Sequence, residues 1–229
     1  MTMDIKEILR KTFSVNWLKS FWLNAYYFGL FKAFKFPILL GYNVKIANKG
    51  NRNSVKVPLK FASVCFGLKY DPFSLGYNNS YWCVGDGAMV NFKGTFKVAK
   101  GVTLHLFPGA VFTVGDGFTS NANLLINCMK SIEVGDGCLF GWNITLMDSD
   151  GGHQVLDVLN GTVINSTSPI KIGNHVWVGA EASILKGSDI PDDCIIGFKS
   201  NVCGLKAKNK SAIAGNPAKI IKDNVNWRG

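Results

Sequence analysis

The stretch that decides the fold is IGNHVWVGAEASILKGSDIPDDCIIGFKSNV, residues 172–202. Within it Ile172, Val178, Ile184, Ile190, Ile196 and Val202 stand six apart without a break. Four residues after each of the first five comes a small or β-branched residue, in order Val176, Ala182, Ser188, Cys194 and Ser200, while Gly, Asn, Asp, Lys and Pro occupy positions between. A six-residue period is neither helical nor a plain strand alternation. It fits a triangular coil with short strands on its faces, the large aliphatic pointing to the axis, and turn residues at corners where the backbone takes unusual angles. Coils of this kind stack on one another. The expected fold class is therefore an all-β solenoid.

The same grammar extends toward the N terminus. Val84-Gly85-Asp86-Gly87, Val114-Gly115-Asp116-Gly117 and Val134-Gly135-Asp136-Gly137 read as three copies of one corner, at spacings of 30 and 20 residues, so the register slips by two between the second and third. Val90, Phe96 and Val102 continue the step of six from Val84, and Phe140 and Leu146 continue it from the third corner. The pattern then stops at Asp148 and resumes at Ile170 or Ile172. Residues 148–169 are too many for one face of a coil, and an interruption of that length in a regular solenoid points to function.

The chain has 229 residues, is 47% hydrophobic and 17% charged, and holds 25 Gly against 7 Pro, which excludes disordered and collagen-like classes. Its formal charge of +10 favours an anionic partner: nucleic acid, a membrane surface or a phosphorylated small molecule. No Walker loop, dinucleotide fingerprint, HExxH or nucleic-acid module is present, and no nucleic-acid partner is expected. Six cysteines at irregular spacings, without a CxxC pair or a signal-peptide pattern, read as free thiols of a cytoplasmic protein. The apolar stretch from Ser20 to Phe31 is too short to span a bilayer.

Three regions follow: a flank at residues 1–40, a solenoid domain at 41–222 carrying the insertion 148–169, and a tail at 223–229. Residues 1–36 read as helical, with ten aromatics between Phe13 and Phe36 interleaved with lysines. Two readings stand for them: a cap over the open end of the solenoid, or a peripheral segment laying its aromatics into the inner face of a membrane.

The run Pro169-Ile170-Lys171-Ile172-Gly173-Asn174-His175-Val176-Trp177-Val178-Gly179-Ala180, with further hexads and Ala214-Gly215-Asn216-Pro217-Ala218-Lys219, closely resembles the hexapeptide-repeat acyltransferases. Within that family it is similar to the sugar and polysaccharide O-acetyltransferases, of which the maltose and galactoside enzymes are best known. The resemblance covers about residues 84–222. It implies a left-handed parallel β-helix, a homotrimer with active sites between neighbouring subunits, acetyl-CoA as donor and a saccharide hydroxyl as acceptor. The hand comes from the resemblance only, since parallel crossovers are normally right-handed. Lys35-Phe36-Pro37-Ile38-Leu39-Leu40-Gly41 is similar to one branch of the family, associated with capsule and lipopolysaccharide assembly.

Acetyl transfer from a thioester to a hydroxyl needs a base and donors for the oxyanion, and no metal. Histidine suits the first role. Of His105, His153 and His175, the resemblance assigns catalysis to His153, in Met147-Asp148-Ser149-Asp150-Gly151-Gly152-His153 within the insertion. Asp148, Asp150 and Asp157 are candidates to orient its far ring nitrogen. His175 reads as an exposed corner and His105 as structural. The three lack the close pair of the zinc carbonic anhydrases that share this fold, so no metal is expected.

Asn121 matches the family's acceptor-binding asparagine, and an amide offers a sugar both a donor and an acceptor. The resemblance runs coenzyme A along an intersubunit groove. It places Trp177 on the wall, Gly179 and Ala180 at the pantetheine, Phe198 and Gly204 further along, and Lys219 and Lys222 near the 3′-phosphate. The family's Thr-Lys pair is replaced by Cys203-Gly204 or Gly204-Leu205, with Lys206 or Lys208 as substitutes. Two alternatives stay open: an N-acetyltransferase acting on an amino-sugar nucleotide, and a non-catalytic scaffold that binds a membrane or a partner.

Overall fold

The computed structural model describes residues 14–69 and 79–228. The chain winds as a three-sided solenoid. Nine strands line the first face, from Ile38–Leu40 to Ala218–Lys222; seven line the second, from Val44–Lys49 to Asn201–Val202; six line the third, from Val55–Lys56 to Asp189–Ile190. Successive turns pair in parallel, and among the described strands of the three faces the closing hairpin of Ala212–Gly215 with Ala218–Lys222 is the antiparallel pair. The first strand, Ile38–Leu40, lies inside the stretch expected to be flank.

The hexads give the last turns their regularity. Val178 pairs beside Ile196, Ile184 beside Val202 and Ile172 beside Ile190, three hexads apart in each case, and all six are buried at the axis. Earlier turns are longer, since Val98 pairs with Ser120 twenty-two residues on and Ser120 with Phe140 twenty on. A longer turn encloses a wider section, and larger side chains fill it. Phe96, Phe118 and Phe140 follow one another along the axis with centroids 5.0 and 4.9 Å apart, about one strand spacing, the first pair stacked and the second edge to face.

The Gly-Asp-Gly turns do not share one corner as expected. Gly85-Asp86-Gly87 joins the second face to the third, whereas the other two join the third to the first. The step from Val84 to Val114 therefore covers one turn of twenty-two residues plus one further face. At the third-to-first corner each acidic or amide side chain binds the turn before it. Asp116 Oδ1 accepts from the Thr95 amide at 2.6 Å, Asp136 Oδ1 from Asp116 at 2.7 Å, Asn174 Oδ1 from Asp136 at 2.9 Å, and Asp192 Oδ1 from Asn174 at 2.6 Å. The glycine before the ladder residue is required by the same contact: a methyl group at Gly135 would stand 2.6 Å from the Gly173 carbonyl carbon.

A parallel stack leaves strand edges open at its ends. Helix α1, Trp17–Phe28, closes the N-terminal end, followed by a short α2, Leu30–Ala33. Asn24 accepts from the Ile38 amide and donates to the Ile38 carbonyl, while Ser20 Oγ accepts from the Leu40 amide. The helix side chains thus stand in for a missing strand. Leu23 and Tyr27 seal the axis beneath, with the Trp82 indole donating to the Tyr27 hydroxyl. The cap reading holds for this buried face; residues 1–13 of the expected helix lie outside the described residues. No described helix is long and apolar enough to cross a membrane.

Two consequences are measurable. Phe118→Ala opens a cavity in the aromatic stack and should lower unfolding free energy by about 3–5 kcal/mol, whereas Phe118→Leu should cost under about 1.5 kcal/mol. Denaturant titration checks both. The Asp116 carboxyl is held below the usual range chiefly by the Thr95 amide, then by the Thr95 hydroxyl and the Gly117 amide. Its contribution is present above the unfolded carboxyl value of about 4 and is lost as pH falls through the lower folded value. Melting temperature should therefore drop on acidification below about pH 4, and less steeply in Asp116→Asn.

Candidate active site

The insertion leaves the corner between the second and third faces, after the strand Ile144–Met147 and before Ile170–Ile172. Its root is a buried carboxylate. Asp148 accepts from the amides of Met129, Lys130 and Ser131, each at 2.7 Å, at the same corner of the preceding turn. Three amides converging on one carboxylate compensate its burial. The Cys128 thiol beside it is pushed well up, by burial first and then by the Asp148 charge. The neck closes where the Ser168 amide donates to the Asp148 carbonyl at 3.0 Å.

Beyond the neck the insertion folds on itself. Leu156 and Val163 form an antiparallel bridge, and Asn165 braces the segment through its side chain, donating to the His153 carbonyl at 2.9 Å and accepting from the Val155 amide at 2.7 Å. Lys186, from the following turn, donates to Asp150 at 2.6 Å and to the Asn165 carbonyl at 3.1 Å. This pair holds the Asp150 carboxyl below the usual range. His153 is exposed on the segment so held.

The three carboxylates expected to orient His153 are engaged elsewhere. Asp148 binds the three amides, Asp150 binds Lys186, and Asp157 accepts from the Leu159 amide at 2.7 Å within the hairpin. None of these bonds runs to the imidazole. Lys186 and Asn165 were not identified from sequence, because both act across turns or across the hairpin and carry no motif.

The residues expected at the donor and acceptor sites occupy other parts of the solenoid. Asn121, Gly179, Ala180 and Phe198 fall on one column, the corner between the first and second faces. Gly179 owes its size to stacking: a methyl group there would stand 2.8 Å from the Ile196 carbonyl oxygen. Trp177 points outward from the first face, 40% exposed, with its ring centroid 6.3 Å from that of Trp227. Phe198 is exposed, with Lys199 Nζ 5.2 Å from its ring centroid. Lys219 and Lys222 lie exposed on the closing hairpin strand, Ala218–Lys222.

Gly204 departs from that group. It sits at the second-to-third corner, where its amide donates to the Lys186 carbonyl, on the same side as the insertion. His153 and Gly204 are therefore separated from the Asn121–Gly179 column by the whole second face. His105 faces outward on that face against the Phe107 ring at 4.5 Å. His175 sits at the third-to-first corner, with Nδ1 2.8 Å from Asp193 and its ring stacked on Trp227 at 4.3 Å.

A three-sided parallel solenoid with an exposed histidine on a long insertion is the class of protein defined to this point. No family model matches the chain. It is 33% identical over 135 residues to the polysialic acid O-acetyltransferase of Escherichia coli O1:K1 / APEC, covering 59% of this chain and 41% of that protein. Over 115 residues it is 35% identical to the galactoside O-acetyltransferase of Escherichia coli K12, covering 50% of this chain and 55% of that one. Among solved structures, the polysialic acid specific acetyltransferase NeuO aligns over 81% of this chain and 76% of its own, at 24% identity and a TM-score of 0.46. The chain spans about half the length of these curated relatives. Over those stretches it is similar in sequence to saccharide O-acetyltransferases.

Lys186→Ala should release the insertion without unfolding the solenoid. Limited proteolysis should cut within residues 151–165 several-fold faster, with a global stability loss of about 1 kcal/mol, as for a partly exposed ion pair.

Proposed function

We propose that the protein is an acetyl-CoA-dependent O-acetyltransferase that modifies a saccharide hydroxyl in the assembly of a capsule, lipopolysaccharide or exopolysaccharide. The observation that carries this reading is the insertion: the solenoid of a chain similar to saccharide O-acetyltransferases is interrupted at residues 148–169, and His153 is exposed on the interruption. In the proposed step His153 takes the proton of the acceptor hydroxyl as its oxygen attacks the thioester carbonyl. The tetrahedral oxyanion collapses, the carbon–sulfur bond breaks, and the proton passes to the coenzyme A thiolate. Histidine can serve both transfers because its pKa lies near neutrality.

Partition of the residues between corners supports a site made by two subunits. The insertion of one copy would meet the Asn121, Trp177, Gly179 and Ala180 surface of another, and a homotrimer closes that contact three times. Asn121 would bind the acceptor; Phe198, Lys219 and Lys222 would lie along the donor, the lysines serving the phosphates as point charges. Gly204 would take part only from the subunit that supplies the insertion. We also propose that the protein resides in the cytoplasm, with residues 1–36 in peripheral contact with the inner face of a membrane; its six cysteines, all unpaired, are in keeping with a reducing compartment.

His153→Ala should lower transfer about 100- to 10,000-fold while leaving folding and coenzyme binding intact. Calorimetric titration with acetyl-CoA should show binding weakened in Lys219→Ala and Lys222→Ala. Retention of most activity in His153→Ala overturns the mechanism. A product stable to mild base would be an amide rather than an ester and would overturn O-acetylation.

A further inference from the structure

Charge is divided unevenly along the chain. Between Glu7 and Asp71 the sequence holds eleven Lys and Arg and no carboxylate, more than the net +10 of the whole protein. Its described residues, 14–69, form the cap, the first turn of the solenoid and the opening strand of the second, at one end of the described structure. The same end carries large apolar side chains that stand mostly in solvent, although the Phe34 ring also meets Phe21 at 5.0 Å. Ser20, Leu23, Asn24 and Tyr27 take the buried side of α1, yet Leu18 is 85%, Phe31 95%, Phe34 70% and Phe61 65% exposed. Phe61 joins them because the Ala62 amide donates to the Phe36 carbonyl.

Cations are interleaved with these groups. Lys32 and Lys35 flank Phe31 and Phe34, Lys60 adjoins Phe61, and Lys49 Nζ lies 4.5 Å from the ring centroids of both Trp22 and Tyr26. Exposed Phe, Trp and Leu surrounded by lysine is the chemistry of an interfacial segment, with rings entering the headgroup boundary and ammonium groups meeting lipid phosphates. A second copy of the same face is disfavoured, because two surfaces rich in lysine repel.

We propose that the cap and first turn form a docking surface for an anionic lipid bilayer, with Phe31, Phe34 and Phe61 inserted and Lys32, Lys35 and Lys60 on the headgroups. This rests on the membrane contact proposed for residues 1–36 and extends it to the 58–62 loop and to a lipid class. The test is flotation of the full chain with phosphatidylcholine vesicles, with and without phosphatidylglycerol. Binding should require phosphatidylglycerol and weaken as salt is raised.

Phe31→Ser with Phe34→Ser, and separately Lys32→Glu with Lys35→Glu, should each weaken binding about tenfold or more with unchanged melting curves. Lys97→Glu, on the side of the solenoid, should leave it unchanged. Equal binding to both compositions removes the anionic class while keeping the contact, and no binding removes both. A fall in oligomer mass in the double Phe variant, without loss of flotation, would make the face an interface between copies. Transfer to a soluble saccharide, measured on the same variants, should be unaffected, so the docking surface and the reaction fail separately.

Discussion

Each turn of the solenoid is hydrogen-bonded only to the turn before it and the turn after it, and most of the molecule answers to that restriction. Backbone amides run parallel to the stack, so adjoining turns must approach to one strand spacing at every corner as well as on every face. Glycines at positions such as Gly135 and Gly179 follow, since any larger residue would meet the next turn's backbone. So does the ladder of Asp116, Asp136, Asn174 and Asp192, which supplies acceptors where corner amides have left the sheet. The ends obey the same requirement by different means: Asn24 and Ser20 satisfy the first strand, and a reversed strand completes the last.

How much of this could be read from the residues depends on the length of the turn. Where a turn is three hexads long, position in sequence equals position on a face, and the aliphatics from Ile172 to Val202 declare the fold unaided. Upstream, turns of twenty and twenty-two residues break that equality, so identical Gly-Asp-Gly tripeptides land on different corners. The insertion was legible as a break in period. Its internal wiring was not, because nearness in sequence to His153 said nothing about partners: Asp148 turns back to the preceding turn and Asp150 forward to Lys186.

The same separation governs the site. A triangular section sets its corners apart by construction, and a single chain cannot bring an insertion on one corner to a column on another without crossing a face. The hairpin tip of the insertion, with Val158 98% and Leu159 95% exposed, is apolar where a solitary loop would be expected to be polar. Burying that tip against a neighbouring solenoid would remove the apolar surface and bring the two corners together in one contact.

Orientation links this arrangement to the charged end. If the cap lies on a bilayer, the solenoid axis rises from it, and the turns of Leu139 and Trp177 stand four and five strand spacings, roughly 20 Å, above the turn of Ile38, with the width of the capping helix beneath. A sugar attached directly to a headgroup would not reach a histidine held at that height. On the proposed reaction a saccharide chain of several residues anchored in the bilayer would reach it, and the described carboxylates, none of which lies within residues 14–69, would face water rather than lipid phosphate. On the proposed readings cap, insertion and charge division would act along one axis: the first would set the height, the second would present His153 at that height, and the third would decide which end meets the membrane.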